Sequence, residues 1–172
     1  MRLGLIAAVL AAALAALGAV VLAAGGIAAG GAGASRQAEP DAAAFARRVV
    51  RLIAENRYDQ AWYRLHPSHQ RSADRADYVM CENLSPIPGR VISVSAGRPA
   101  DEAVTLPSGR MVSSKAVPVE IVLRDQATRE ATFVATIVHA VPFGGGWRWI
   151  LPESRLEAYA AGQCPGGGGP PR

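Results

Sequence analysis

The chain has 172 residues, 50% of them hydrophobic and 19% charged, which suits one domain with a packed core and appendages. Its net charge is +4, and arginine supplies nearly all of the positive charge, because Lys115 is the sole lysine. The arginines are scattered rather than clustered on one element, which argues against a nucleic-acid partner.

Residues 1–24 form an apolar leader. Arg2 gives a short positive start, and no charged residue follows from Leu3 to Ser35. About 20 such residues can cross a bilayer as a helix, whereas a signal-peptide core usually has about 7–15 apolar residues. The leader therefore predicts either a signal peptide, cut after Ala32-Gly33-Ala34, or an uncleaved transmembrane anchor. Both place the remainder outside the cytoplasm, because Arg2 prefers the cytoplasmic side.

Two further appendages flank the predicted domain, which spans residues 41–164. Residues 25–40 are rich in glycine and alanine and predict a linker. Residues 165–172 are a Gly/Pro tail that we expect to be disordered. The leader has no cysteine, so lipid attachment at such a residue is excluded. We expect a single-pass membrane protein with an extracytoplasmic domain, or a secreted protein.

Three helices are predicted before the sheet. The first begins at Asp41, a suitable N-cap, and stops near Asn56. Its apolar stripe is Phe45, Val49, Leu52 and Ile53. A second, short helix covers Tyr58–Leu65 and ends before Pro67, because the residue preceding a proline is pushed out of the helical region. A loop (residues 68–72) and a third helix (about 73–84) follow.

The pattern then changes to short alternating segments, which are typical of strands. The predicted strands are Val91–Val94, Glu102–Leu106, Arg110–Val112, Val117–Leu123, Phe133–Val141 and Trp147–Leu151. Pro118 should lie at an edge or a bulge, because it lacks an N–H. Gly144-Gly145-Gly146 suits a hairpin turn and, without a following helix or lysine, not a phosphate loop. A final helix runs from Pro152 to a stop at Gly162. This order indicates an α+β fold with helices on one face of a mostly antiparallel sheet.

Cys81 lies near the end of the third helix, and Cys164 follows the last one. In an oxidising compartment such a pair should form a disulfide. A buried free thiol and a metal pair are the alternatives.

Few residues are candidates for chemistry. His66 and His69 are close in sequence, but a zinc site needs three or four ligands, and their spacing to the nearest carboxylates matches no metal motif. His139 shares a strand face with Phe133 and Ile137 and is a weak candidate for a catalytic base. We predict neither a metal nor a cofactor.

Five residues could line a pocket. They are Trp62, Phe133, His139, Trp147 and Trp149. Tryptophan is large, flat and apolar, so the three indoles suit core packing as well as ligand contact.

Four segments carry a family resemblance. The first is a helix with Phe45, Val49 and Leu52, which precedes the second, Tyr58-Asp59-Gln60-Ala61-Trp62-Tyr63-Arg64-Leu65-His66-Pro67. The third is a helix that ends in Cys81. The fourth comprises the strand Gly146-Trp147-Arg148-Trp149-Ile150-Leu151 and a closing helix with Cys164-Pro165. Together they resemble the NTF2-like superfamily, and within it exported actinobacterial domains without an assigned function. The resemblance implies a cone in which three N-terminal helices pack on a curved antiparallel sheet that is followed by a short C-terminal helix.

The superfamily includes isomerases, dehydratases, binding modules and accessory domains of cell-envelope proteins. No catalytic residue of the enzymes maps onto an acid of this sequence. We therefore expect a non-enzymatic extracytoplasmic binding or accessory module of the cell envelope. The alternative is a small-molecule isomerase or lyase with His139 or a pocket carboxylate as base. Expected partners are the membrane, through an uncleaved leader, and an envelope protein or a second copy; nucleic acid is not expected.

Overall fold

A computed structural model describes residues 41–166, which form an α+β fold whose antiparallel sheet curls into a half-barrel. The predicted α+β class is confirmed. The predicted leader (1–24), the linker (25–40) and residues 167–172 of the predicted tail lie outside the described residues. No helix between residues 41 and 166 is long and apolar enough to cross a membrane.

Five helices occur in the described part of the chain, four before the sheet and one after it. They are α1 (Ala42–Ala54), α2 (Tyr58–Trp62), α3 (Pro67–Ser72), α4 (Arg75–Leu84) and α5 (Glu153–Ala160). The first helix has its predicted limits, because the Asp41 carboxylate accepts the N–H of Ala43 at 2.9 Å and Asn56 ends the helical path at φ 56°. Gly162, at φ 67°, follows the end of α5 as predicted.

The prediction of three N-terminal helices with a loop over residues 68–72 was wrong, because that segment is α3. His66 caps this helix by accepting the N–H of Ser68 on its Nδ1 at 3.2 Å. Pro67 occupies the first helical position, where a missing N–H costs nothing. The His-Pro pair therefore ends one helix and starts the next. The following helix begins only at Arg75, after Asp74 accepts two backbone N–H groups.

The strands are β1 (Arg90–Ala96), β2 (Ala100–Thr105), β3 (Met111–Arg124), β4 (Ala131–Phe143) and β5 (Gly146–Trp149). Strand β3 is the centre of the sheet. Its first half pairs with β2, its second half with β1, and β4 pairs with its other edge from Lys115 to Arg124. The separate strands predicted over residues 110–112 and 117–123 are thus one strand. The β4–β5 turn has Gly144 at φ 60° and Gly145 at φ 78°, which fits the predicted hairpin.

Pro118 lies where β3 changes partner. The β2 pairing ends at Ala116, and the β1 pairing begins at Val119. The Pro118 carbonyl still accepts the N–H of Gly97 at 2.8 Å, and a Cβ on Gly97 would lie only 2.9 Å from the proline ring. The missing N–H of proline is therefore accommodated at the gap between two strands rather than at an outer edge or a bulge.

The main core lies between the helices and one face of the sheet. The sheet contributes Val117, Val119, Ile121, Leu123, Val138 and Ala140, and α1 contributes Ala46, Val49, Val50 and Leu52. Val138 and Ala140 of β4 face these helices. Because side chains alternate along a strand, Phe133, Ile137 and His139, which were predicted to share one face of this strand, point away from the helices. On that side, which we call the open face, Phe133 is 78% exposed and Ile137 is 59% exposed.

The structure joins Cys81 of α4 to Cys164 by a disulfide, with the two Cα atoms 5.2 Å apart. The adjacent Glu82 carboxylate accepts a hydrogen bond from the Tyr159 hydroxyl at 2.7 Å and pairs with the Arg155 guanidinium. Both interactions attach α5 to α4. The predicted pairing is confirmed, and no free cysteine occurs in the described residues.

Replacing Cys81 and Cys164 together by serine should lower the free energy of unfolding by up to about 4–5 kcal/mol, because the bond closes a long loop in the unfolded chain. Urea unfolding of the variant and the wild type would measure the difference. The denatured, unreduced wild type should contain no thiol that reacts with a labelling reagent. Two reactive thiols would contradict the pairing.

Candidate functional site

A cavity of about 680 Å³ lies where the β2–β3 hairpin, β4 and the segment leading into α5 meet. Its wall is largely apolar and includes Leu106, Ile137 and Ile150. His69 and His139 also line it, and we call it the histidine cavity. Leu106 and Ile150 belong to a small apolar cluster separate from the main core. Ligand pockets commonly have volumes of about 300–1,000 Å³.

Trp149 of β5 places the helical segment that carries His69 against the sheet. Its N–H donates to the Arg64 carbonyl at 3.1 Å, and its carbonyl accepts the N–H of His66 at 2.8 Å. Its indole Nε1 donates to the Ala61 carbonyl at 2.8 Å. These bonds hold the start of α3 beside the end of β5. His69 of α3 therefore lies next to Leu151, two residues after that strand.

His69 is 1% exposed, and its two ring nitrogens have different environments. Nδ1 accepts the backbone N–H of Leu151 at 3.3 Å. The proton of the neutral ring is therefore on Nε2. That Nε2 is buried and has no hydrogen-bond partner among the described residues. His69, one of the residues that line the cavity, thus has a buried imidazole N–H donor without an acceptor among the described residues.

The buried ring is neutral near pH 7. Burial, and then the neighbouring His66, lower the pKa of His69 from its ordinary value of 6.5 to about 4. The hydrogen bond from Leu151 acts in the same sense, because a protonated Nδ1 could not accept it. His69 therefore offers a neutral donor rather than a positive charge.

His139 is half-buried on β4 and has the opposite arrangement. Its Nδ1 lies 3.4 Å from the Ser114 Oγ, and that hydroxyl donates its own hydrogen to the Glu102 carbonyl at 2.9 Å. A hydroxyl has one hydrogen, so Ser114 must accept from His139, which puts the ring proton on Nδ1. In the neutral ring the lone pair is then on Nε2. The cavity is lined by one imidazole that donates and one that accepts.

Glu153 and Glu157 of α5 also line the cavity, and both are exposed. Their carboxylates make the outer part of the cavity negative. Anionic ligands are disfavoured there, whereas neutral ones are not.

The other predicted pocket residues lie elsewhere. Trp62 and Trp149 pack in the core region, and their indole N–H groups donate to backbone carbonyls, that of Trp62 to Ala73 at 2.8 Å. Trp147 is 5% exposed in the same core. Phe133 lies on the open face. His139 is the one residue of the predicted set on the cavity wall.

The structure places a further histidine, His69, among the residues that line the cavity. The sequence had suggested this residue only as a metal ligand together with His66. A signal was present, because a capping histidine followed by a proline at the first helical position starts a helix and makes position 69 part of its first turn. No cluster of three or more His, Cys, Asp or Glu residues suitable for a metal occurs within residues 41–166.

The chain matches no protein-family model, no curated protein and no solved structure. The geometry of the histidine cavity is therefore the basis for assigning a function.

The buried imidazole should make stability depend on pH. The unfolded chain binds a proton at His69 below about pH 6.5, whereas the folded chain binds it only below about pH 4. Stability should therefore fall as the pH drops through this interval, by about 3 kcal/mol in total for this group. Urea unfolding between pH 7 and pH 4 would measure the slope. His69→Gln should remove most of it, and an unchanged slope would contradict the assignment.

Proposed function

We propose that this chain is a non-enzymatic extracytoplasmic binding module of the cell envelope, whose NTF2-like domain holds a neutral, mostly apolar small molecule. One observation carries the proposal: His69 lines the histidine cavity and has a buried Nε2–H without a partner among the described residues. A buried polar group without a partner costs about 1–3 kcal/mol. A ligand that supplies an acceptor recovers that free energy.

The class of ligand follows from the groups around it. A carbonyl or hydroxyl oxygen would accept from His69, and a ligand hydroxyl would donate to Nε2 of His139. Leu106, Ile150 and Leu156 would contact an apolar body. The carboxylates of α5 disfavour an anion. Ketones and alcohols with a hydrocarbon chain or ring fit these constraints, and carboxylates fit them poorly.

The NTF2-like assignment is part of the proposal. Its support is a helical layer on one side of a curled antiparallel sheet, with a short helix after the last strand. The extracytoplasmic location is supported by the apolar leader and by the Cys81–Cys164 disulfide, since such bonds persist in oxidising compartments.

A matched set of ten-carbon probes tests the ligand class. We expect 2-decanone and 1-decanol to bind the full chain at least tenfold more tightly than decanoate, measured by isothermal titration calorimetry below the micelle-forming concentration of each probe. His69→Met removes the donor and should weaken 2-decanone binding about tenfold, the value of one hydrogen bond. His69→Gln keeps a neutral N–H and should retain part of the affinity.

A second histidine provides the control. His66 is buried beside α3 but does not line the cavity, and asparagine preserves helix capping. His66→Asn should therefore leave 2-decanone binding unchanged. Equal losses in His66→Asn and His69→Met, or tighter binding of decanoate than of the ketone, would contradict the proposed ligand class.

A second candidate function is an isomerase or lyase, favoured by the contact of His139 Nδ1 with Ser114, which in the neutral ring leaves the lone pair on Nε2. In that reaction Nε2 would take a proton from the carbon next to a carbonyl, and the His69 Nε2–H would bond to the enolate oxygen. Returning the proton to carbon would complete the cycle.

Deuterium exchange separates the two functions. If the chain only binds, the hydrogens next to the carbonyl of 2-decanone should exchange with D₂O at the uncatalysed rate, as followed by NMR. Catalysed exchange that disappears in His139→Gln, while binding remains, would instead identify an enzyme with His139 as base.

The location can be tested on the native protein. Mass spectrometry of the N-terminus should find Ser35 if the leader is a cleaved signal peptide, or the first residues of the chain if it is an anchor. In both cases we expect the protein in the envelope or medium with the disulfide intact. Recovery from the cytosol with both cysteines reduced would contradict an extracytoplasmic module.

A further inference from the structure

Strand β4 has an unpaired outer edge. Strand β5 pairs with it only from Ala140 to Phe143. Among residues 41–166, no strand pairs with the outer edge of β4 from Ala131 to His139. We call this segment the free edge. Its outward N–H and C=O groups can accept another strand.

The free edge lacks the features that usually prevent such pairing. Proteins protect exposed edges with charged side chains, prolines or bulges. The segment Ala-Thr-Phe-Val-Ala-Thr-Ile-Val-His contains no Lys, Arg, Asp, Glu or proline, and its register with β3 is continuous. It also exposes apolar side chains, because Phe133 is 78%, Ile137 59% and Val134 40% exposed.

The sequence of the free edge is complementary to itself in one antiparallel register. The midpoint of residues 131–139 is Ala135. A two-fold axis there places each Phe133 opposite Ile137 of the partner subunit, on the same face. Aromatic residues opposite β-branched residues are favourable cross-strand pairs. The small Ala135 side chains meet at the axis.

Neighbouring registers are worse. Moving the axis to Val134 leaves Val138 and His139 without partners. Moving it to Thr136 brings the second strand to Ala140, where β5 already occupies the edge. An axis between two residues would put the open face of one sheet beside the helix-covered face of the other, because cross-strand partners share a face.

We propose that the protein forms a homodimer in which the free edges of two copies pair antiparallel about Ala135 and join two sheets into one continuous sheet. The same surface serves both subunits, as a two-fold interface requires. The proposal rests on the sheet edge and does not depend on a ligand in the histidine cavity.

Dimerisation would also extend the rim of that cavity. Ile137 and His139 line it and lie at one end of the free edge. In the proposed register, Phe133 of the partner subunit lies opposite Ile137. An aromatic ring is thereby added beside Ile137 to the apolar rim of the cavity.

A cysteine at the axis tests the register. Residues directly opposite each other in an antiparallel pair have Cα atoms about 4.5–5.5 Å apart, a range that a disulfide can bridge. Ala135→Cys in the full chain, expressed with its own leader, should convert most of the protein to a dimer on a non-reducing gel. Reduction should return it to monomer.

Glu120→Cys is the matched control. Glu120 lies beside Ala135 on β3, on the same face, and is exposed. Its two copies would lie about 14 Å apart across three strand spacings, too far for a disulfide. We expect no cross-linked dimer from this variant on the non-reducing gel. Likewise, Phe133→Cys and Ile137→Cys should each stay without a cross-link alone and form one only when the two variants are mixed.

Association without a cross-link provides an independent measurement. The wild-type chain should sediment at twice the monomer mass, and Ala135→Lys should weaken the dimer at least tenfold, because two like charges meet at the axis. Glu120→Lys should leave the dimer intact. An unlinked Ala135→Cys, a Glu120→Cys that links equally well, or an Ala135→Cys joined to a different protein would each overturn the proposal.

Discussion

Three hydrogen bonds of Trp149 connect the helical layer to the last strand, and the arrangement of the histidine cavity depends on them. The two backbone bonds reach Arg64 and His66, between α2 and α3, and the indole bond reaches Ala61 within α2. The backbone pair joins the residues just before α3 to β5, and the indole bond joins α2 to the same strand. Because α3 starts at once with Pro67, its first turn must face Leu151, and His69 has little freedom to point elsewhere.

The two imidazoles of the cavity illustrate how a fold selects a tautomer. The backbone N–H of Leu151 donates to Nδ1 of His69, which leaves the proton of the neutral ring on Nε2. Ser114 already donates to the Glu102 carbonyl, so it accepts from Nδ1 of His139, which carries the proton of that ring. Identical side chains therefore offer opposite hydrogen-bonding groups. In the proposed binding function, these two imidazoles would recognise a ligand oxygen by the direction of a hydrogen bond, which is consistent with the neutral state of His69.

The edges of the sheet differ in how completely they are paired. Strand β3 is paired on both edges over most of its length, because β1 and β2 share one edge and β4 pairs with the other from Lys115 to Arg124. Strand β4 is much longer than the four-residue β5, so most of its outer edge has no neighbour within the described residues. The tight Gly144-Gly145 turn starts β5 at once, and Pro152 precedes α5 soon after it ends. One face thus forms the core, while one edge remains available for intermolecular contact.

The sequence by itself determined the α+β class, the approximate positions of the strands apart from the division of β3 into two, the limits of α1, the glycine turn and the cysteine pair. These features follow from local causes: alternation, capping, φ > 0 at glycine or asparagine, and an even number of thiols. The tertiary structure decided what local patterns cannot express. It placed the tryptophans in the core, turned Phe133 to solvent and brought His69 together with His139. That last arrangement depends on hydrogen bonds between residues some eighty positions apart, such as Leu151 to His69, and no local periodicity encodes such a contact.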